Sequence, residues 1–174
     1  MARPRTFDEV SALDAAVQVF WQHGFAATSV RQLCAAMGIK AGSFYATFGN
    51  KEGCFRKAID RYVATQTAPS RPTPDAIRAW FEAIIDPARA PAGCLLVNSA
   101  TEFNSLDAES QRLIAKRLSQ LEAYFARCLD GRPDGPNEAA LFAAAVVGVH
   151  VLARSGASPA RLRVVAEQAL NVLD

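Results

Sequence analysis

The side chains best suited to ligating a metal or to acting as nucleophile and base are Cys34, Cys54, Cys94, Cys128, His23 and His150. The cysteines form no CxxC pair, and none has a histidine at ligand spacing. No Ser/His/Asp, Cys/His or carboxylate constellation accompanies them. They define neither a metal site nor a catalytic centre, no cofactor is called for, and the chain is not expected to be an enzyme. Charge is distributed more tellingly. Residues 1–67 hold eight Lys/Arg (Arg3, Arg5, Arg31, Lys40, Lys51, Arg56, Lys57, Arg61) against five acids, whereas the remainder holds eleven against twelve. That excess at one end favours an anionic partner there.

These residues must be positioned by helices. Val10, Leu13, Ala16, Val17 and Phe20 recur at helical period, and Gly24 stops the run. Thr28 or Ser29 then offers an N-cap for a short helix carrying Val30, Leu33, Cys34 and Met37 inward, ended by Gly38. A second short helix carries Phe44 and Phe48 and is closed by Gly49. Asn50 caps a fourth with Phe55, Ala58, Ile59 and Tyr62 on its buried face. The segment 65–75, with three prolines, reads as a linker and divides the chain into domains 1–67 and 68–174.

Beyond it lie a helix with Ile77, Trp80, Phe81 and Ile84, a break at Pro87 and Pro91, then "CLLVNSATEF". A long pattern follows from Leu113 to Leu129, and two terminal helices span about 137–154 and 159–173. Strand alternation is absent, so the fold expected is all-α with about nine helices. At 174 residues, 51% hydrophobic and 21% charged, the chain is expected to fold. Without an apolar leader or a run of about 18 uncharged apolar residues, it is expected to be cytoplasmic, free of any membrane, with its cysteines reduced.

Two short helices joined at a glycine turn form a helix-turn-helix, in which the second helix is presented to a duplex. With Phe44 and Phe48 turned to the core, Ser43, Tyr45, Ala46 and Thr47 point outward. Small residues at Ala41, Gly42 and Ser43 permit close approach to bases and phosphates.

The stretch "TSVRQLCAAMGIKAGSFYATFGNKEGCF" resembles the N-terminal DNA-binding domain of TetR-family transcriptional regulators, a likeness that runs over about residues 8–60. It implies a three-helix DNA-binding domain followed by a helical dimerisation and effector domain. It also implies roles for matching positions: Arg31 on a base or phosphate, Lys40, Ala41, Gly42 and Ser43 at the start of the recognition helix, Tyr45 and Thr47 on phosphate, and Lys51 on phosphate at the next helix N-terminus. Ala41 and Ala46 are smaller than the family pattern, so direct readout is expected to rest on Arg31, Lys40 and Ser43. Arg3 and Arg5 have two readings, a minor-groove arm or a solvated tail.

The two terminal helices carry wide apolar faces rich in small residues. Leu141, Ala145, Gly148, Val149 and Leu152, with Leu162, Val165, Ala169 and Leu170, are expected at a two-fold four-helix interface. Trp80, Asn98, Phe103, Tyr124 and Phe125 are candidates for an effector cavity, with Glu102 and His150 as further polar partners. "PAGCLLVNSATEF" resembles a segment of electrophile- and oxidant-responsive members of the family. On that reading, Cys94 senses an effector, its thiolate favoured by helix N–H groups and Arg89; on the other, it is a structural thiol. The function expected is a homodimeric regulator, most simply a repressor, released from a palindromic double-stranded operator by a small molecule or electrophile. The alternative is a helical enzyme or scaffold whose helix-turn-helix is incidental.

Overall fold

The computed structural model describes residues 7–65, 71–86 and 93–174. Arg3 and Arg5, Arg89, Pro87 and Pro91, and linker residues 66–70 lie outside these. Among the described residues nine α-helices and no strand occur: α1 (Glu9–His23), α2 (Val30–Met37), α3 (Ala41–Phe48), α4 (Lys51–Thr65), α5 (Pro74–Ile85), α6 (Leu95–Thr101), α7 (Ala108–Cys128), α8 (Gly135–Arg154) and α9 (Pro159–Leu170).

The chain forms two compact units. The first is built from residues 1–66 together with 98–113, and the second from 67–97 with 114–174. In the first, Asp8 caps α1 by accepting from the N–H groups of Val10 and Ser11. Its buried stripe is Ala12, Ala16, Val17 and Phe20. Val10, expected on that stripe, is 50% exposed, because it sits in the first turn, ahead of the first buried residue of α1. Phe20 meets Phe55 of α4 edge to face at 5.2 Å, and Phe44 meets Phe48 at 5.3 Å. Phe20, Leu33, Phe44 and Phe55 are fully buried, so the short helices α2 and α3 are held by the longer α1 and α4. Truncating one of these rings to alanine costs about 3–5 kcal/mol.

The second unit packs α5, α8 and α9 with the later turns of α7. An aromatic ladder runs through it: Trp80 to Phe125 at 5.6 Å, Phe125 to Phe142 at 6.1 Å and Phe142 to Phe81 at 6.0 Å. Arg132 forks onto Glu138 at 2.7 and 3.0 Å and donates to the Val172 carbonyl at 2.9 Å, tying the α7–α8 turn to the end of the chain. By length and composition α8 is apolar enough to cross a membrane. Its buried residues, including Phe142, Val146 and Val149, belong to the core of this unit.

Candidate nucleic-acid interface

The turn between α2 and α3 is set by two different helix ends. Ser29 and Gln32 form a reciprocal capping box at the start of α2. Gly38 ends α2 in the left-handed region, at φ 66° and ψ 29°, where a Cβ is strained. Lys40 then occupies the N-cap of α3 without any side-chain cap hydrogen bond. The first N–H groups of α3 therefore have no side-chain partner among the described residues, a feature that makes a helix N-terminus receptive to anions. Ala41 and Gly42 over this end are exposed, Ser43 is half-buried, Tyr45 is 53% exposed and Thr47 is half-buried. A Cβ on Gly42 would meet no atom within 4 Å, and its backbone is helical. No described neighbour requires glycine there.

The cations of the first unit divide sharply. Arg56 pairs with Asp107 at 2.9 Å and Glu109 at 3.1 Å, Lys57 with Glu9 at 3.0 Å, and Arg61 grips both oxygens of Asp14 at 2.7 and 2.9 Å. The Arg61 hydrogen bond holds the Asp14 carboxyl below its usual range. Burial pulls Asp107 upward, but hydrogen bonds from Ser110 and the Arg56 charge outweigh it and its pKa is lowered. Arg31 and Lys40, both exposed, form no ion pair with a described residue. No described residue neutralises these two charges.

Lys51 is differently placed. Its ammonium donates to the Phe25 carbonyl at 3.0 Å and lies 4.1 Å from the centre of the Phe25 ring. Glu102, expected to line an effector cavity, accepts from the Phe25 N–H at 3.3 Å and the Ala26 N–H at 2.8 Å. Sequence reasoning missed this use, for a backbone donor has no residue signature; the one hint was the glycine at position 24.

The effector candidates fall in two groups. Trp80, Tyr124 and Phe125 pack on one another, with Trp80 5.5 Å from Tyr124. Asn98 is buried and Phe103 is 38% exposed, both in the first unit. None of these, nor Cys94, lines the open groove of about 360 Å³ at Arg56, Lys57 and Glu109 or that of about 230 Å³ at Glu122, Ala126 and Pro136. Cys94 is half-buried just before α6. Burial pushes the Cys54 thiol up to about 12, and raises Cys34 and Cys128 as well, which leaves these three poor nucleophiles. Burial also lowers His150 to about 4, and its Nδ1 has no hydrogen-bond partner among the described residues.

On α8 and α9, Val149, Leu162 and Ala169 lie in the core of their own unit, at 0%, 2% and 8% exposure, so they are not available to a second subunit. Leu141 is 46% exposed, and Ala145, Gly148, Leu152, Val165 and Leu170 are half-buried. Val151 and Val164, which sequence reasoning passed over, are 40% and 46% exposed.

An uncapped second helix presented by a glycine turn, with an unpaired cation at the start of each of the two short helices, has the form of a DNA-binding helix-turn-helix. The family model for bacterial regulatory proteins of the tetR family matches residues 12–58. Over 190 aligned positions the sequence is 31% identical to the HTH-type transcriptional repressor ComR of Escherichia coli (strain K12), which takes in 98% of this chain and 90% of ComR. The E. coli repressor BdcR is 42% identical over 67 residues, 38% of this chain and 34% of BdcR. A cysteine-substituted form of the TetR family regulator CifR, solved with 26-bp double-strand operator DNA, superposes with a TM-score of 0.83 at 27% identity, covering 98% of each chain. The chain belongs to the TetR family of transcriptional regulators. It is therefore a regulator and not an enzyme.

Proposed function

We propose that the protein is a homodimeric cytoplasmic repressor that binds a palindromic operator and leaves it when a small-molecule or thiol-reactive effector binds. DNA contact falls to the stretch 1–67, and dimerisation and effector response to 68–174. One observation carries the DNA reading: Arg31 at the start of α2 and Lys40 at the N-cap of α3 are left without an ion pair among the described residues, and no side chain caps the α3 N-terminus. Arg31, Lys40 and Ser43 read bases, while Ala41 and Gly42 admit the duplex and Tyr45 and Thr47 hold phosphate. Operator-bound CifR, similar along the whole chain, supports the same mode. Two heads joined through exposed residues of α8 and α9 would address half-sites about one DNA turn apart. An effector that favours the DNA-incompetent arrangement lowers operator affinity by its differential affinity for the two states.

Binding to a duplex selected by the protein from a random library, followed by fluorescence anisotropy across a salt series, tests the reading. Arg31→Ala and Lys40→Ala should each weaken binding to the selected duplex and relax its base preference. Affinity for the selected duplex no higher than for random DNA at every salt concentration refutes it. For the thiol branch, operator affinity unchanged in protein whose Cys94 is fully alkylated, as shown by mass spectrometry, removes Cys94 as a sensor.

A further inference from the structure

We infer that Glu102 and Lys51 are positioning residues for operator binding, which clamp one turn of backbone from two sides; this rests on the DNA-binding reading above. The turn runs from Gly24 to Thr28 and fixes where α2 begins. Glu102 takes the two consecutive N–H groups of Phe25 and Ala26 on its two carboxylate oxygens, at 3.3 and 2.8 Å. Consecutive backbone donors that converge on one anion form a nest, and a full carboxylate charge satisfies both. Lys51 holds the opposite pole of the same residue, the Phe25 carbonyl, at 3.0 Å, with its charge over the Phe25 ring. The ring in turn packs on Phe55 at 5.0 Å, so the clamped backbone is anchored in the core.

Gly24 is fitted to this clamp on two counts. Its φ is +78°, and a Cβ there would stand 2.0 Å from Oε1 of Glu102. The glycine leaves the space that the carboxylate fills. Thr28 completes the turn by donating to the Gly24 carbonyl at 2.6 Å. The next residue, Ser29, caps α2, and α2 carries α3 through Gly38. Loosening the turn therefore displaces the whole recognition pair without touching a DNA-facing side chain. Lys51 matches a phosphate-holding position of the family pattern, yet here its ammonium is committed inward, and its contribution to affinity is geometric.

The test uses the full chain and the library-selected duplex, with folded fraction measured by circular dichroism and active fraction by stoichiometric titration. Glu102→Gln keeps size but presents an NH2 group to one of the two donors. It should weaken operator binding by about tenfold at unchanged salt slope. Lys51→Ala should do the same, with slope unchanged, and Lys51→Arg should restore most of the loss. Amide hydrogen exchange at Phe25 and Ala26 should quicken in Glu102→Gln without DNA present, which reads the clamp apart from any DNA function. Gly24→Ala should reproduce Glu102→Gln, and combining the two should add little. A slope lowered by about 0.9 in Lys51→Ala makes Lys51 a phosphate ligand and overturns its part of the proposal. Operator affinity unchanged in Glu102→Gln, or unchanged exchange at both amides, overturns the clamp. Faster exchange in a protein that selects no duplex overturns the DNA-binding reading instead, and with it the positioning role.

Discussion

Ser29 and Gln32 satisfy each other across the first turn of α2: the Gln32 N–H donates to the Ser29 hydroxyl at 3.3 Å, and the Gln32 side chain accepts the Ser29 N–H at 2.8 Å. A helix of only eight residues has little propensity energy to hold its own start. Ser29→Ala should therefore destabilise the protein by about 1 kcal/mol, read as a lower urea midpoint at unchanged slope.

Gly42 separates stability from function. Its backbone is helical and a methyl group there meets open space. Gly42→Ala should raise stability by about 0.5 kcal/mol in urea melts, since helical glycine is the less favourable residue. In the proposed DNA complex the same methyl group stands where the duplex approaches, so operator affinity should fall although the fold has improved. Equal or tighter binding in this variant would remove Gly42 from the interface.

In the proposed homodimer the exposed β-branched residues of α8 and α9 lie at the subunit contact. Val151→Asp and Val164→Asp each place a charge on an apolar face outside the core of the unit. Sedimentation should show monomers at concentrations where the unaltered chain is dimeric, with helix content retained. Leu162→Ala should instead lower the melting temperature, because Leu162 is 2% exposed within its own unit.

His150 gives a sign to the pH response. Burial holds its folded pKa at about 4, below the ordinary 6.5. Between those values the unfolded chain binds more protons, so stability is complete above pH 6.5 and falls as pH drops toward 4. The loss amounts to about 2 kcal/mol for this partly covered ring. Replacing it by His150→Phe should flatten the urea midpoint across that window relative to the unaltered protein.

The N-terminal helices were legible because their punctuation is local. Gly24, Gly38 and Gly49 end helices where the backbone takes positive φ, while Ser29 caps α2 and Asn50 caps α4. Val10 was misjudged because a period of 3.6 continues past the point at which a helix meets the core. On α8 nearly every face is apolar, so periodicity could not say which valines turn inward: Val149 is buried and Val151 exposed, two positions apart. Glu102 was illegible for another reason. Its partners are main-chain amides 76 and 77 positions away, and every residue but proline has one.

Residues 98–113 belong to the same compact unit as residues 1–66, and this limits the modularity of the molecule. A chimera cut at the proline-rich linker would carry the recognition helices to a new effector domain but leave behind Glu102, together with Asp107 and Glu109, the partners of Arg56. Such a graft inherits the reading surface without its support. Exchange of whole specificities between regulators of this kind calls for three crossovers, one at the linker and one on each side of the segment 98–113.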